Sequence, residues 1–234
     1  MQTTQPDPAQ LQLLEAALPN VAFDGWSQAS FQAAVATTGM DPDRARALCP
    51  RGATDLAVLY HREGDRAMQR AMTAEDMTGL RYSDKVARAI RLRLDVIDDK
   101  EAVRRGTTLF ALPHLAATGA GLIWGTADAI WTALGDTSDD VNWYTKRATL
   151  SGVWAAVVLY WLGDTSENHA ATDDFIDRRI AEVMQIEKVK AQVNGNAVLR
   201  PLTAPLNRLL GMIRAPQRTP RTDVPGMWRP DDAA

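Results

Sequence analysis

The 234-residue chain reads as an all-helical protein. Three observations carry that reading. Alanine is abundant, leucine and methionine are common, and strand-like alternation is rare. Apolar residues recur at three- and four-residue spacing in one segment after another. Between these segments stand residues that start and stop helices: Ser27, Asp41-Pro42 and Asp99 in front, Gly39, Gly79 and Gly163 behind. The length suits one helical domain of about 180 residues with tails, or at most two small domains.

Residues 1–8, M-Q-T-T-Q-P-D-P, have no basic region and no apolar run. They read as a disordered leader, neither a signal peptide nor a transit sequence. Pro8 to Leu18 reads as a short helix with Leu11, Leu14 and Leu18 on one face, ended by Pro19-Asn20. Phe23 and Trp26 are expected core anchors. Ser27 caps a helix through Thr38 that Gly39 stops. Asp41 caps the next, with Pro42 at its first position, running to Cys49. Residues 9–51 therefore have the outline of a helix-turn-helix. As a DNA reader this module is disfavoured. Residues 1–50 carry Asp7, Glu15, Asp24, Asp41 and Asp43 against Arg44 and Arg46, whereas DNA affinity rests on cations at phosphates.

Residues 52–187 form the larger helical part. A long helix runs from Asp55 to about Met77, with His61 read as ordinary surface or hydrogen-bonded core. Tyr82 to Leu94 follows, its stripe being Val86, Ile90 and Leu94. Asp98-Asp99 caps a helix from Lys100 to Phe110, and Pro113 separates it from Leu115 to Leu134. The charge-free run from Thr107 to Ala127 has about the length of a membrane span, but Pro113, His114, Thr118 and three glycines make it bundle interior. Gly119, Gly121 and Gly125 leave two readings open: close helix packing, or room for a bound molecule.

The longest helical stretch runs from Asp139 to Asp164, capped by Asp139 or Asp140 and stopped at Gly163. Its second half is apolar almost all round and is expected at the centre of a bundle. Its first half sets Trp143, Tyr144, Lys146 and Arg147 near a helix start, where the dipole disfavours cations. That mismatch marks a surface with a task. Thr172 to Ile186 reads as the last bundle helix and a candidate dimer face. From residue 188 the character changes: Ala191 to Gly195 reads as a linker. Asn196 to Arg214 reads as a basic amphipathic segment, with Leu199, Leu202, Leu206, Arg208, Leu209, Leu210, Ile213 and Arg214 as candidate membrane contacts. The alternative is a tail folded back on the bundle. Residues 215–234 are expected to be disordered.

The net charge of −3 gives no steering toward nucleic acid, and the single Cys49 points to a reducing compartment. There is no E-x-x-H pair, no C-x-x-C, no phosphate loop and no dinucleotide fingerprint. No cofactor, metal or catalytic residue is therefore expected, and non-catalytic binding is the default.

Asp140 to Ala148, D-V-N-W-Y-T-K-R-A, followed by the apolar helix and Gly163-Asp164, resembles the COQ9 family of ubiquinone-biosynthesis proteins. Gly25-Trp26, Leu112-Pro113-His114 and the Trp131 region fit it too. The resemblance implies a TetR-like helical bundle: a vestigial helix-turn-helix, then a larger lipid-binding domain. Taken with the apolar helices, it leads us to expect a long apolar slot between Leu109–Trp131 and Val153–Trp161, lined by Leu112, Leu115, Leu122, Ile123, Trp124, Val157, Val158 and Trp161. It implies a non-catalytic homodimer that presents isoprenoid or quinone-type lipids to a COQ7-type hydroxylase and engages an anionic membrane surface, without nucleic acid. Carried over, the partner surface is Asp140, Asn142, Trp143, Tyr144 and Arg147. Trp143 taken by itself reads equally as core. The expected location is cytoplasmic, peripheral at the inner membrane of a bacterium. The alternative function is a TetR-type ligand-responsive transcriptional regulator. An enzyme acting on lipid is a further rival, but it needs a clustered acid–base site.

Overall fold

The computed structural model describes residues 5–195 and 214–216, and over 186–195 the backbone alone. Nine α-helices run through the described residues: α1 (Pro8–Asp24), α2 (Gln28–Thr38), α3 (Pro42–Leu48), α4 (Ala53–Ala74), α5 (Tyr82–Asp95), α6 (Lys100–Phe110), α7 (Ala116–Ala133), α8 (Val141–Gly163) and α9 (Ala170–Gly195). The start and stop residues act where expected. Ser27 and Ser30 cap α2 reciprocally, and Gly39 ends it in the left-handed region at φ 62°. Asp41, Asp99 and Asp140 each accept backbone N–H groups at the starts of α3, α6 and α8.

Three expectations change in the first and last helices. Pro19 does not end α1, which continues to Gly25 at φ 67°. Proline costs the helix one hydrogen bond, and burial of Leu13, Leu14, Ala17 and Val21 on one continuous face offsets it. Phe23 lies two residues beyond Val21, on the opposite side of that face, and is 83% exposed rather than core. Trp26 is buried, and its indole N–H donates to the Ala102 carbonyl at 3.0 Å. The residues read as a linker, 191–195, are the last turns of α9: nothing between Lys190 and Gly195 breaks a helix.

The second half of α8 is apolar almost all round but is not enclosed on every side. Leu150, Val153, Trp154, Val157 and Trp161 are buried at three- and four-residue spacing, while Leu159 and Tyr160 face outward. The charge-free run around α7 is likewise only half interior. Leu115, Gly119, Leu122, Thr126, Ala127 and Ile130 are buried, whereas Leu112, Pro113, Ala116, Ala117, Ala120 and Gly121 are exposed. No helix among the described residues is long and apolar enough to cross a membrane.

The buried apolar side chains form two clusters. One joins α1–α3, the start of α4 and Ala102 of α6; the other joins α4, α5, α7, α8 and α9. A buried polar cluster ties α4 to α5 and α7. Arg93 Nε donates to Asp65 Oδ1 at 2.8 Å and Arg93 Nη2 to the His61 carbonyl at 3.0 Å. The Thr126 hydroxyl donates to Asp65 Oδ1 at 2.9 Å. His61 Nε2 lies 2.9 Å from the same hydroxyl. Burial pushes the imidazole down to about 4, so His61 is neutral at pH 7 and serves as a hydrogen-bonded core residue. Gly64 makes the room: a Cβ there lies 2.5 Å from the Arg93 guanidinium carbon.

The glycines of α7 divide by face. A Cβ on Gly119 would lie 2.8 Å from Phe110 Cβ, so this glycine permits close packing of α6 on α7. A Cβ on Gly121 meets nothing within 4 Å. Gly119→Ala should therefore destabilise by about 1–3 kcal/mol through overpacking. Gly121→Ala should stabilise by up to about 1 kcal/mol through helix propensity alone. Urea unfolding of the two variants should move their midpoints in opposite directions.

Candidate functional site at the head of the long apolar helix

α8 begins at Asp140, whose carboxylate accepts from the Asn142 backbone N–H at 2.8 Å and from the Asn142 side-chain amide at 2.9 Å. The misplaced cations of the first turns then find their partners. Arg147 is 2% exposed. Its Nε donates to Asp128 Oδ1 of α7 at 2.7 Å, and its Nη1 donates to Asp136 Oδ2 at 3.0 Å and to the Trp143 carbonyl at 3.1 Å. Lys146 Nζ donates to Asp136 Oδ1 at 2.8 Å and to the Ser138 hydroxyl at 2.8 Å. Asp136 thus holds two cations from the loop between α7 and α8. Burial alone raises its pKa, but the hydrogen bonds from Lys146, Ser138 and Arg147 outweigh that and hold it down to about 2.

On this frame stands an aromatic cluster. The Arg147 guanidinium lies over the Trp143 ring, 4.1 Å from its centroid. Tyr144 meets Trp143 edge-on at 4.8 Å, and Trp124 of α7 meets it tilted at 5.9 Å. Trp124, Trp143 and Tyr144 are each half-buried, and Asn142 beside them is exposed. Trp124 also closes the outward face of α7, formed by Ala116, Ala117, Ala120 and Gly121 and extended by Leu112 and Pro113. This face bears no charge and runs directly into the aromatic cluster. The Arg214–Ala215 peptide lies at its edge, against Asp139 and Tyr144.

The structure redistributes the expected site residues. Of the partner set, Asn142, Trp143 and Tyr144 share one surface and Asp140 caps the helix beneath them. Arg147 is corrected from contact to frame, because its guanidinium is buried and committed to two carboxylates. Of the lipid set, Leu115, Leu122, Val157 and Trp161 are packed in the interior, Ile123, Trp124 and Val158 are half-buried, and Leu112 is exposed at 44%. Among the described residues they are spread from the interior to the surface. A cleft of about 370 Å³ opens instead at the ends of α4, α5 and α7, lined by residues such as Gln69, Met72, Met77, Lys85 and Leu134. None of the eight expected lipid residues lines it. Leu199, Leu202, Leu206, Arg208, Leu209, Leu210 and Ile213 lie outside the described residues, and Arg214 is exposed. Asp128 and Asp136 were missed as site residues. Their signal was indirect: two cations at a helix start need carboxylates in the preceding turn and helix.

Asp136 sets a pH dependence whose sign follows from its depressed pKa. The stabilisation, about 2 kcal/mol, is fully present above the ordinary carboxylate range and is lost as pH falls from about 4 toward 2. Asp136→Asn should flatten the acid limb of a stability–pH profile in that window. Arg147→Met should destabilise by about 3–5 kcal/mol, because it leaves Asp128 and Asp136 facing each other without their shared cation. Thermal unfolding across pH reads both.

The family model named COQ9 matches residues 116–187, which hold α7, α8 and the aromatic cluster. The mitochondrial ubiquinone biosynthesis protein COQ9-A of Xenopus laevis is 30% identical over 206 residues, 82% of this chain and 64% of its own. The probable mitochondrial ubiquinone biosynthesis protein coq9 of Dictyostelium discoideum is 28% identical over 192 residues, 78% of this chain and 62% of its own. The human mitochondrial COQ9 protein is 25% identical over 203 residues, 82% of this chain and 64% of its own. The chain spans about three-fifths of the length of such relatives. A TetR transcriptional regulator from Nitrosomonas europaea superposes with a TM-score of 0.61 at 18% identity, covering 75% of this chain and 98% of that one. It shows an all-helical bundle with a TetR-like fold. The expected location, cytoplasmic and at the inner membrane of a bacterium, is corrected by the curated relatives, which are mitochondrial proteins. That expectation leaned on the first residues and a lone cysteine, which carry little weight in a chain shorter than its relatives. The matched family model, the relatives and the D-V-N-W-Y-T-K-R-A block mounted at the head of α8 all make this chain similar to the COQ9 family.

Proposed function

We propose that this protein is a non-catalytic, lipid-binding accessory protein of ubiquinone biosynthesis that presents isoprenoid or quinone-type lipids to a COQ7-type hydroxylase. COQ9 proteins are a non-catalytic accessory class. One observation carries the reading: the uncharged outer face of α7 meets the aromatic cluster of α8 through the Trp124–Trp143 contact at 5.9 Å. An isoprenoid chain needs apolar surface and no specific polarity, and each buried methylene is worth about 0.8 kcal/mol. A chain lying along Leu112, Ala116, Ala120 and Gly121 ends where Trp143 and Tyr144 stand half-exposed. Partly exposed aromatics on a rigid frame are the residues protein partners use as anchors. The lipid surface and the partner surface then adjoin. Leu159, Tyr160 and Met184, exposed on α8 and α9, support a homodimer contact. The segment from Leu199 to Arg214 supplies the contact with an anionic membrane.

The TetR-like fold favours a second reading, a ligand-responsive transcriptional regulator. The start of α3 argues against it. Asp41 already fills the helix N-terminus, accepting from the N–H groups of Asp43 and Arg44 at 3.1 and 2.9 Å. A phosphate approaching there meets two carboxylates, Asp41 and Asp43.

The test uses two variants of the intact chain. Gly121→Asp puts a charge on the open face of α7 without a steric clash. Native mass spectrometry with lipid extraction, on protein from a quinone-producing cell, should find a co-purifying isoprenoid or quinone precursor in the parent and not in the variant. Trp143→Ala should weaken hydroxylase binding by about tenfold or more, since anchor aromatics commonly contribute at least 2 kcal/mol. Its thermal midpoint should change little. Equal lipid loading in the first variant, or unchanged hydroxylase affinity in the second, would reject the corresponding half of the proposal.

A further inference from the structure

The peptide unit between Arg214 and Ala215 is held at both ends. Its carbonyl accepts the Tyr144 hydroxyl at 3.3 Å, and its N–H donates to the Asp139 carbonyl at 2.9 Å. In a trans peptide these two groups point to opposite sides. The head of α8 therefore presents a donor and an acceptor across a gap the width of one amide. Asp139 lies one residue before the helix cap, so its carbonyl stands outside the first turn of α8. The bound segment suits the gap. Ala215 precedes Pro216, which biases it to an extended backbone. Its small side chain is half-buried, while Arg214 and Pro216 on either side are exposed. Pro216 has no N–H, so the following amide brings no unsatisfied donor.

We propose that the gap between the Asp139 carbonyl and the Tyr144 hydroxyl is a main-chain-reading site for an extended polypeptide, occupied in this state by the chain's own Arg214–Ala215 peptide. The site recognises backbone polarity rather than a particular side chain, with a small residue followed by proline as the preferred occupant. A protein partner that docks on Trp143 and Tyr144 enters by placing an extended segment of its own in the same gap. The chain's segment is then an internal competitor that lowers partner affinity until it is displaced. The competition rests on Trp143 and Tyr144 being the partner surface; the peptide clamp does not.

The probe is a fluorescent synthetic peptide of residues 211–220, GMIRAPQRTP, added to the full 234-residue chain. Ala215→Pro in the chain removes the donated N–H and should free the gap. The peptide should then bind this variant about tenfold tighter than it binds the parent, as the loss of one backbone hydrogen bond and of an occupied site implies. A peptide methylated on the Ala215 nitrogen should lose that binding. In the parent chain, Tyr144→Phe should speed hydrogen exchange at the Ala215 amide about three- to tenfold, a readout that stands if the proline variant fails to fold. Equal peptide binding by parent and variant, undiminished binding of the methylated peptide, or unchanged Ala215 exchange in Tyr144→Phe overturns the clamp. If the peptide binds but does not displace the hydroxylase, the clamp stands and the internal competition falls, as does the placing of the partner on Tyr144. If Ala215→Pro leaves hydroxylase affinity unchanged while Trp143→Ala reduces it, the partner surface stands and the competition alone is rejected.

Discussion

The head of α8 depends on one buried cation. Arg147 sits between Asp128 of α7 and Asp136 of the connecting loop, and the same loop carboxylate also receives Lys146. Removing a guanidinium from water is costly, and only close carboxylates with full hydrogen bonding repay it. Once they are in place, the geometry of the whole corner follows. The α7–α8 loop cannot swing away without stranding a charge, and the Trp143 ring is held against the guanidinium. Burying the cation under the surface lets the aromatic rings remain partly outside it. A cluster of exposed indoles without such a frame would collapse inward, because apolar burial is the cheaper outcome.

The same corner explains how two surfaces come to touch. α7 packs its inner face, including Gly119, closely on α6 and the core. Its outer face, of alanines and Gly121, remains uncovered. The uncovered face is weakly apolar per residue but has no charge along its length, which suits a long hydrocarbon better than a compact ligand. Trp124 is where that face ends and the aromatic cluster begins. At the far edge of the cluster the chain's own Arg214–Ala215 peptide is hydrogen-bonded, so the uncharged face of α7, the aromatic cluster and the held peptide adjoin at the head of α8.

A second buried charge pair is formed by Asp65 and Arg93. It joins α4, α5 and α7, and His61 is drawn into it as a neutral hydrogen-bonding ring. These two pairs divide the labour. One fixes the long helices relative to one another; the other fixes the working end of α8. Neither has the open geometry of an acid–base site, because each carboxylate is turned toward a cation or a hydroxyl inside the protein.

Much of this was legible in the residues. Ser27, Asp41, Asp99, Asp140 and Gly39 set helix boundaries by local hydrogen bonding and backbone preference, which need no distant partner. The D-V-N-W-Y-T-K-R-A block singled out the helix start, but the carboxylates that its cations meet, Asp128 and Asp136, were not read from it. Other features were not legible, for reasons that are tertiary. Pro19 stays inside α1 because distant side chains bury that helix's face. Phe23 points outward and Arg147 inward although composition suggests the reverse, since burial depends on which neighbours a face meets. The apolar residues on α7 and α8 were correctly read as numerous, but whether they enclose a slot or pack solidly depends on helix spacing. Local sequence set the helix starts and most of their caps; which faces are covered was settled across the core, because coverage is a property of the partners on the far side and not of the strip of chain that carries them.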